Sequence, residues 1–221
     1  MLALLHKVRL LFFITGLIGA CTGTPVTEPP NVLPPDPNLV ATLSGTGTVA
    51  VVGQPGAVAP MAVVVGVDID STDPAERMES TADGAFTLNF TPPLTLVRLF
   101  VEAEGTRSAP LDLEIDTGAP KPPSCLEVPS VLRFTRSDAP ERLELRVQSE
   151  CPSSIAVSGL RLRTASESFS IEAAPPVLVE AGSTTTIPVV YDPASGPGEE
   201  ILILESADLG DRFVVTLEGN L

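Results

Sequence analysis

Beyond residue 39 the chain alternates apolar and polar residues with a period of two, which predicts strands rather than helices. Leu143, Leu145 and Val147 alternate with Arg142, Glu144, Arg146 and Gln148, and Leu160 and Leu162 oppose Arg161 and Arg163. Thr185, Ile187, Val189 and Tyr191 form one face of a later strand, and Phe213, Val215 and Leu217 line the last. Earlier, Phe86, Leu88 and Phe90 alternate with Ala85, Thr87 and Asn89, and Leu111, Leu113 and Ile115 with Asp112, Glu114 and Asp116. One face of each is expected in a core and the other in water. Ala62 to Val67 is a β-branched run long enough for a buried strand, and Leu96 to Ala103 predicts another. Pro74 to Ser80 has some helical look but is too short to matter.

Turn residues punctuate these runs: Asp83-Gly84 in the first half, and Asp-Ala-Pro, Cys-Pro, Ala-Gly-Ser and Pro-Gly in the second. Thr117 to Pro123 is proline-rich and reads as a hinge or stiff linker. The pattern predicts an all-β chain with two tandem Ig-like β-sandwich domains, residues 39–116 and 124–221, joined by residues 117–123.

The first 38 residues follow other rules. His6, Lys7 and Arg9 precede the apolar run Leu10 to Ala20, as in a secretory signal. The run is too short for the ~20 residues of a membrane-spanning helix. Ile18-Gly19-Ala20-Cys21 resembles the lipobox of bacterial lipoproteins. That resemblance implies cleavage after residue 20, diacylation of the Cys21 thiol and acylation of its new amine. Several acyl chains give lasting attachment, at about 0.8 kcal/mol per buried CH₂. Thr22 stands where an Asp in Gram-negative lipoproteins signals inner-membrane retention, so the expected address is the outer membrane. Residues 21–38, with Pro25, Pro29, Pro30, Pro34, Pro35 and Pro37, read as an extended tether reaching roughly 50 Å.

Composition narrows the chemistry. Loss of Lys7 and Arg9 with the signal takes the formal charge from −15 to −17. Residues 39–116 carry 11 acids against 3 bases and residues 120–221 carry 15 against 8, which argues against nucleic acid as a partner. The signal also holds the single histidine, so Ser-His-Asp, Cys-His and His-zinc chemistry have no residues to use. Tryptophan is absent, Tyr191 is the one tyrosine, and Lys121 is the one lysine beyond the signal. No catalytic residue is assigned, and a hydrolase built on carboxylates is the remaining enzymatic alternative.

Two family resemblances follow from longer stretches. Gly53-Gln54-Pro55-Gly56, the apolar strand from Ala62, Thr81-Ala82-Asp83-Gly84-Ala85-Phe86-Thr87-Leu88 and Leu99-Phe100-Val101-Glu102-Ala103-Glu104-Gly105 resemble the carboxypeptidase-regulatory-like (transthyretin-like) sandwich. In the second half, Val128-Pro129-Ser130-Val131-Leu132-Arg133-Phe134, Phe169-Ser170-Ile171, the run Glu180 to Pro193 and Val214-Val215-Thr216-Leu217-Glu218-Gly219 resemble the ASH/MSP-like immunoglobulin-type domains, including the choice-of-anchor D group. Tyr191 stands where Phe is usual, and its hydroxyl then needs a partner. Both resemblances imply accessory or scaffolding modules without a catalytic site.

Three sets of residues are candidates for function. Asp68, Asp70, Thr72, Glu76 and Glu79 fall at positions 1, 3, 5, 9 and 12 of an EF-hand count, but Asp73 replaces the required Gly and Pro74 follows it. The alternatives are a solvated acidic loop and a weak non-EF Ca²⁺ site; no other cofactor is expected. If Cys21 carries lipid, Cys125 and Cys151 form an even pair, and a hairpin of 125–134 with 141–151 about Asp138 would place them opposite each other. Arg142 with Arg146, and Arg161 with Arg163, share faces; they are either solvated or a docking patch for an acidic partner. The expectation is a non-enzymatic outer-membrane lipoprotein that binds or scaffolds envelope proteins. The alternatives are a Ca²⁺-dependent surface adhesin and an accessory subunit of an envelope or secretion complex.

Overall fold

The computed structural model describes residues 32–136 and 138–220, so the signal, the lipobox and Cys21 lie outside the described residues. The described chain is all-β, with no α-helix and one 3₁₀ turn at Pro193–Ser195. The first domain contains β1 (Val40–Gly45), β2 (Thr48–Gly53), β3 (Val63–Asp68), β4 (Glu76–Glu79), β5 (Phe86–Phe90), β6 (Leu96–Ala103), β7 (Thr106–Arg107), β8 (Leu111–Glu114) and β9 (Ala119–Pro120). A first sheet, β1-β2-β5, packs on a second, β4-β3-β6-β8-β9, with β7 paired to β6. The alternating residues Phe86, Leu88 and Phe90 meet Val64, Val97, Leu99 and Leu113 between these sheets. Asp83-Gly84 makes the expected turn. Gly84 has φ +81°, and a Cβ there would stand 2.1 Å from the Val58 carbonyl oxygen.

The second domain contains β10 (Leu126–Glu127), β11 (Val131–Phe134), β12 (Glu141–Ser149), β13 (Ile155–Val157), β14 (Gly159–Leu162), β15 (Phe169–Ile171), β16 (Val177–Val179), β17 (Thr184–Tyr191), β18 (Gly198–Ser206) and β19 (Asp211–Gly219). The third sheet is β11-β19-β18-β14, the fourth is β10-β12-β17-β15, and β13 pairs with β16. With that hairpin set aside and the strands lettered in chain order, the fourth sheet reads A-B-E-D and the third A′-G-F-C. This is the strand order of an immunoglobulin-type sandwich, and β11 runs parallel to β19 as the A′ position requires. Leu145, Val147, Ile187, Val189 and Tyr191 face Leu202, Leu204, Val215 and Leu217 in its core. Tyr191 stacks with Phe134 and Phe169 at centroid distances of 5.6 and 5.1 Å. Its hydroxyl donates to the Gly196 carbonyl at 3.0 Å, the partner that a buried tyrosine needs.

Cys125 and Cys151 form a disulfide, with Cα atoms 4.9 Å apart. Its loop closure contributes about 3.5 kcal/mol in the chain-entropy model. The hairpin expected to carry it is corrected in two respects. β10 pairs with β12 in a register that sets Leu126 against Ser149, so Cys125 lies opposite Glu150 and Cys151 is one residue on. The chain then leaves the fourth sheet, and β11 joins the third instead of continuing along β12.

Three further segments differ from expectation. The polar segment Pro74 to Ser80 contains the strand β4. The described end of the tether is docked: Val32 packs against the first core, Pro35 is buried, and Asp36 N–H donates to Ala57 O at 2.8 Å. Within the 117–123 segment, Ala119–Pro120 pairs with β8 as an edge strand.

The two sandwiches meet sheet against sheet. On β6 the odd residues Val97, Leu99 and Val101 enter the first core, while Leu96 and Phe100 enter a separate apolar cluster. That cluster joins Val65, Val67, Ile69, Leu96 and Phe100 of the first domain to Ile201, Ile203 and Val214 of the second. β18 and β19 divide their faces in the same way, since Leu202, Leu204, Phe213 and Val215 line the second core. The result is a stack of four β layers with three apolar seams. Successive strand residues point to opposite sides, so β3, β6, β18 and β19 each feed two seams at once.

Candidate functional site

The middle seam contains the most unusual side chain of the fold. Arg98 lies mid-strand on β6 with 1% of its surface exposed. Register places it directly opposite Asp112 on β8. Side chains so paired share a face, and here the guanidinium and carboxylate meet as a fork, Nε to Oδ1 and Nη2 to Oδ2, both at 2.7 Å. The remaining donors cross to the second domain. Nη1 donates to Ser130 O at 3.0 Å and Thr216 Oγ1 at 2.9 Å, and Nη2 donates to Val214 O at 2.6 Å. A guanidinium has five N–H donors, and all five are used. Full satisfaction is what makes burial of a charge tolerable.

Other charged pairs ring the seam. Arg107 reaches from the first domain to Glu199, also binds Glu102, and lies 4.7 Å from the centre of the Phe100 ring. Arg212 on β19 pairs with Asp70 and donates to Thr95. Arg163 donates through Nε to Asp68 O at 2.7 Å and through Nη2 to Asp73 O. Lys121 pairs with Asp211 at 2.7 Å and lies 4.5 Å from the Phe213 ring centre.

These surroundings set the ionisation of the groups. Burial opposes charge on Asp70, but the hydrogen bonds from Arg212 and Thr95 outweigh it and hold its carboxyl below the ordinary value. Burial dominates at Asp68 and pushes its carboxyl up. Burial lowers the Arg163 guanidinium. At Arg107 burial is outweighed by Glu102 and Glu199, and the group is raised.

The acidic loop is engaged by the second domain. Asp68, Asp70 and Asp73 meet arginines of the second domain, through carboxylate or carbonyl oxygen, while Glu76 and Glu79 lie exposed on β4. Among the described residues, no group of three or more His, Cys, Asp or Glu is placed to hold a metal ion. The arginine pairs also divide. Arg163 is docked on the first domain, Arg161 lies 3.5 Å from Glu205, and Arg142 binds Glu144 and Glu172. The bond to Glu172 raises the Arg142 guanidinium. Arg146 is exposed on the outer face of the fourth sheet.

No family model matches the chain, and no curated protein matches it. Among solved structures it is similar to the VesB protease of Vibrio cholerae, at 10% identity and a TM-score of 0.38 over 74% of this chain and 63% of that one. A glycosyl hydrolase family 2 member from Bacteroides cellulosilyticus matches at 10% identity and TM-score 0.30, over 79% of this chain and 23% of its own. The alpha-2-macroglobulin of E. coli in its native conformation matches at 12% identity and TM-score 0.27, over 81% and 16%. The chain thus spans less than two thirds of the length of each. These likenesses carry no argument about activity or partners.

Arg98 and its ring are the residues that reasoning from sequence missed. A signal was present: one cation inside the apolar run Leu96-Val97-Arg98-Leu99-Phe100-Val101 has to find an anion and a cover. The continuous run Ile201-Leu202-Ile203-Leu204 is its counterpart, because a strand apolar on both faces is buried on both. What the arrangement does chemically is hold two sheets in one fixed relation.

Proposed function

We propose that the protein is a non-enzymatic lipoprotein of the cell envelope, lipidated on Cys21 and held at the outer membrane, whose two sandwiches serve as one rigid unit for binding or scaffolding other envelope proteins. The observation that supports this reading is the face-to-face fusion of the domains. Large apolar contacts suppress the relative motion expected of linked domains, and a scaffold has to keep its surfaces at fixed positions. The A-B-E-D and A′-G-F-C strand order fits the ASH/MSP-like resemblance of the second half, whose relatives are binding and scaffolding units. On this reading the outer faces of the first and fourth sheets, and the edges of the stack, are the surfaces left for partners.

Two measurements test it. Labelling with a palmitate analogue marks the wild-type protein and not Cys21→Ala, and the variant moves to the soluble fraction; a variant that stays with the membrane contradicts the anchor. Photo-crosslinkers at Arg146, Leu178 and Leu43, which are exposed, trap one recurrent envelope protein in intact cells. Adducts no more frequent than those of the unanchored variant contradict the scaffolding role.

A further inference from the structure

We infer that residues 121–130 form a strap that completes the Arg98 site, and that the Cys125–Cys151 disulfide is what holds the strap in place. The strap begins on the carboxylate partner of Arg98, where Lys121 N–H donates to Asp112 O at 2.9 Å. Lys121 Nζ pins the same point to Asp211 on β19. The strap ends on Arg98 itself, since Ser130 O accepts both from Arg98 Nη1 at 3.0 Å and from Thr216 N–H at 2.9 Å. One segment thus touches both halves of the arginine's hydrogen-bond set.

Between those ends the strap has little of its own to hold it. Pro122, Pro123 and Pro129 have no N–H to donate. β10 is only two residues long. Its fixings are the two-residue ladder of β10 with β12, the bond from Glu150 N–H to Cys125 O at 2.8 Å, the Leu126 and Val128 side chains on the second core, and the disulfide. The disulfide is the covalent one, and it stands five residues before Ser130. It therefore acts on the seam between the domains as well as on the sandwich that contains it.

A disulfide that served the second sandwich alone would contribute the same stability whether or not Arg98 were present. A strap makes the two contributions depend on each other. The test is a double-mutant cycle on the full-length chain, with wild type, Cys125→Ala/Cys151→Ala, Arg98→Met and their combination unfolded in urea and followed by far-ultraviolet circular dichroism. Loss of the disulfide is expected to raise the unfolding constant about tenfold more in the wild-type background than in Arg98→Met, the order of coupling seen for groups that share one network. Amide exchange of Lys121, whose bond lies in the first domain, is expected to quicken in the disulfide-free protein. Equal factors in the two backgrounds, with Lys121 exchange unchanged, overturn the strap. If Arg98→Met does not fold, Thr216→Val takes its place in the cycle, because it removes one Arg98 bond and leaves the strand intact.

Discussion

Arg98 and Thr216 are 118 residues apart in sequence, yet the Arg98 Nη1–H donates to Thr216 Oγ1 at 2.9 Å inside the seam between the domains. The contact requires both strands to present that face to the partner domain. On β19 the residues Arg212, Val214, Thr216 and Glu218 share it, and on β6 Leu96, Arg98, Phe100 and Glu102 do. A polar residue at each of positions 98 and 216 sits among apolar neighbours and fixes the relative position of the sheets. A purely apolar seam would tolerate sliding; a guanidinium with five assigned acceptors does not.

Arg98 substitution is the most direct perturbation. Arg98→Met leaves the Asp112 carboxylate without its counter-ion and strips one donor each from Ser130 O, Val214 O and Thr216. A loss of about 3–5 kcal/mol is expected, as for other buried pairs broken on one side. Arg98→Lys should recover little of it, because an ammonium cannot reproduce the planar fork. Urea denaturation of the two variants checks both statements.

Ile203→Asp addresses the seam alone. Ile203 is fully buried in the apolar contact between the domains and belongs to neither sandwich core. An unpaired carboxylate there is expected to part the layers while each sandwich keeps its strands. Hydrogen exchange should quicken on the facing sides of β6 and β18, with circular dichroism unchanged.

The seam also carries a pH dependence whose sign differs between two neighbours. Asp70 has its folded value below the ordinary 3.8, so its contribution is complete above the unfolded value and is lost as pH falls through the folded one. Asp68 is raised from 3.8, so its contribution is present below the unfolded value and is lost as pH rises through the folded one. Asp70→Asn is therefore expected to flatten the fall in melting temperature below about pH 4, and Asp68→Asn to raise stability near neutrality. Melting curves from pH 7 to pH 2.5 read out both; an unchanged acid limb in Asp70→Asn contradicts the first.

Gly219→Ala tests the packing beneath Tyr191. A Cβ at position 219 would stand 2.3 Å from a ring carbon of Tyr191, and the ring is held by two aromatic neighbours and its hydroxyl bond. Overpacking of this kind costs about 1–3 kcal/mol. Gly182→Ala meets open space but has φ +66°, and a smaller loss of roughly 1 kcal/mol is expected from backbone strain alone.

Period-two patterning made the strands with one wet face legible. β12 and β17 fall where Leu143 to Val147 and Ile187 to Tyr191 alternate. Asp112 was expected in water by the same rule and instead faces Arg98, because alternation says which residues share a face and nothing of what covers it. The seam was hidden for that reason. The partners of Asp68, Asp70 and Asp73 lie some 90 to 140 residues further along the chain, and a local acidic count cannot see them. The even pair of cysteines was legible in composition. Their register was not, since β10 stops after Glu127 and the chain changes sheet; Pro129 marks a break there but not which sheet the next strand joins.

The four β layers are joined as one body by the seam around Arg98. Scanning calorimetry of the full-length chain tests it most directly, because the two sandwiches would otherwise melt separately. A single transition is expected, with calorimetric and van't Hoff enthalpies in a ratio of about 1. Two resolved transitions, or a ratio near 2, would contradict it.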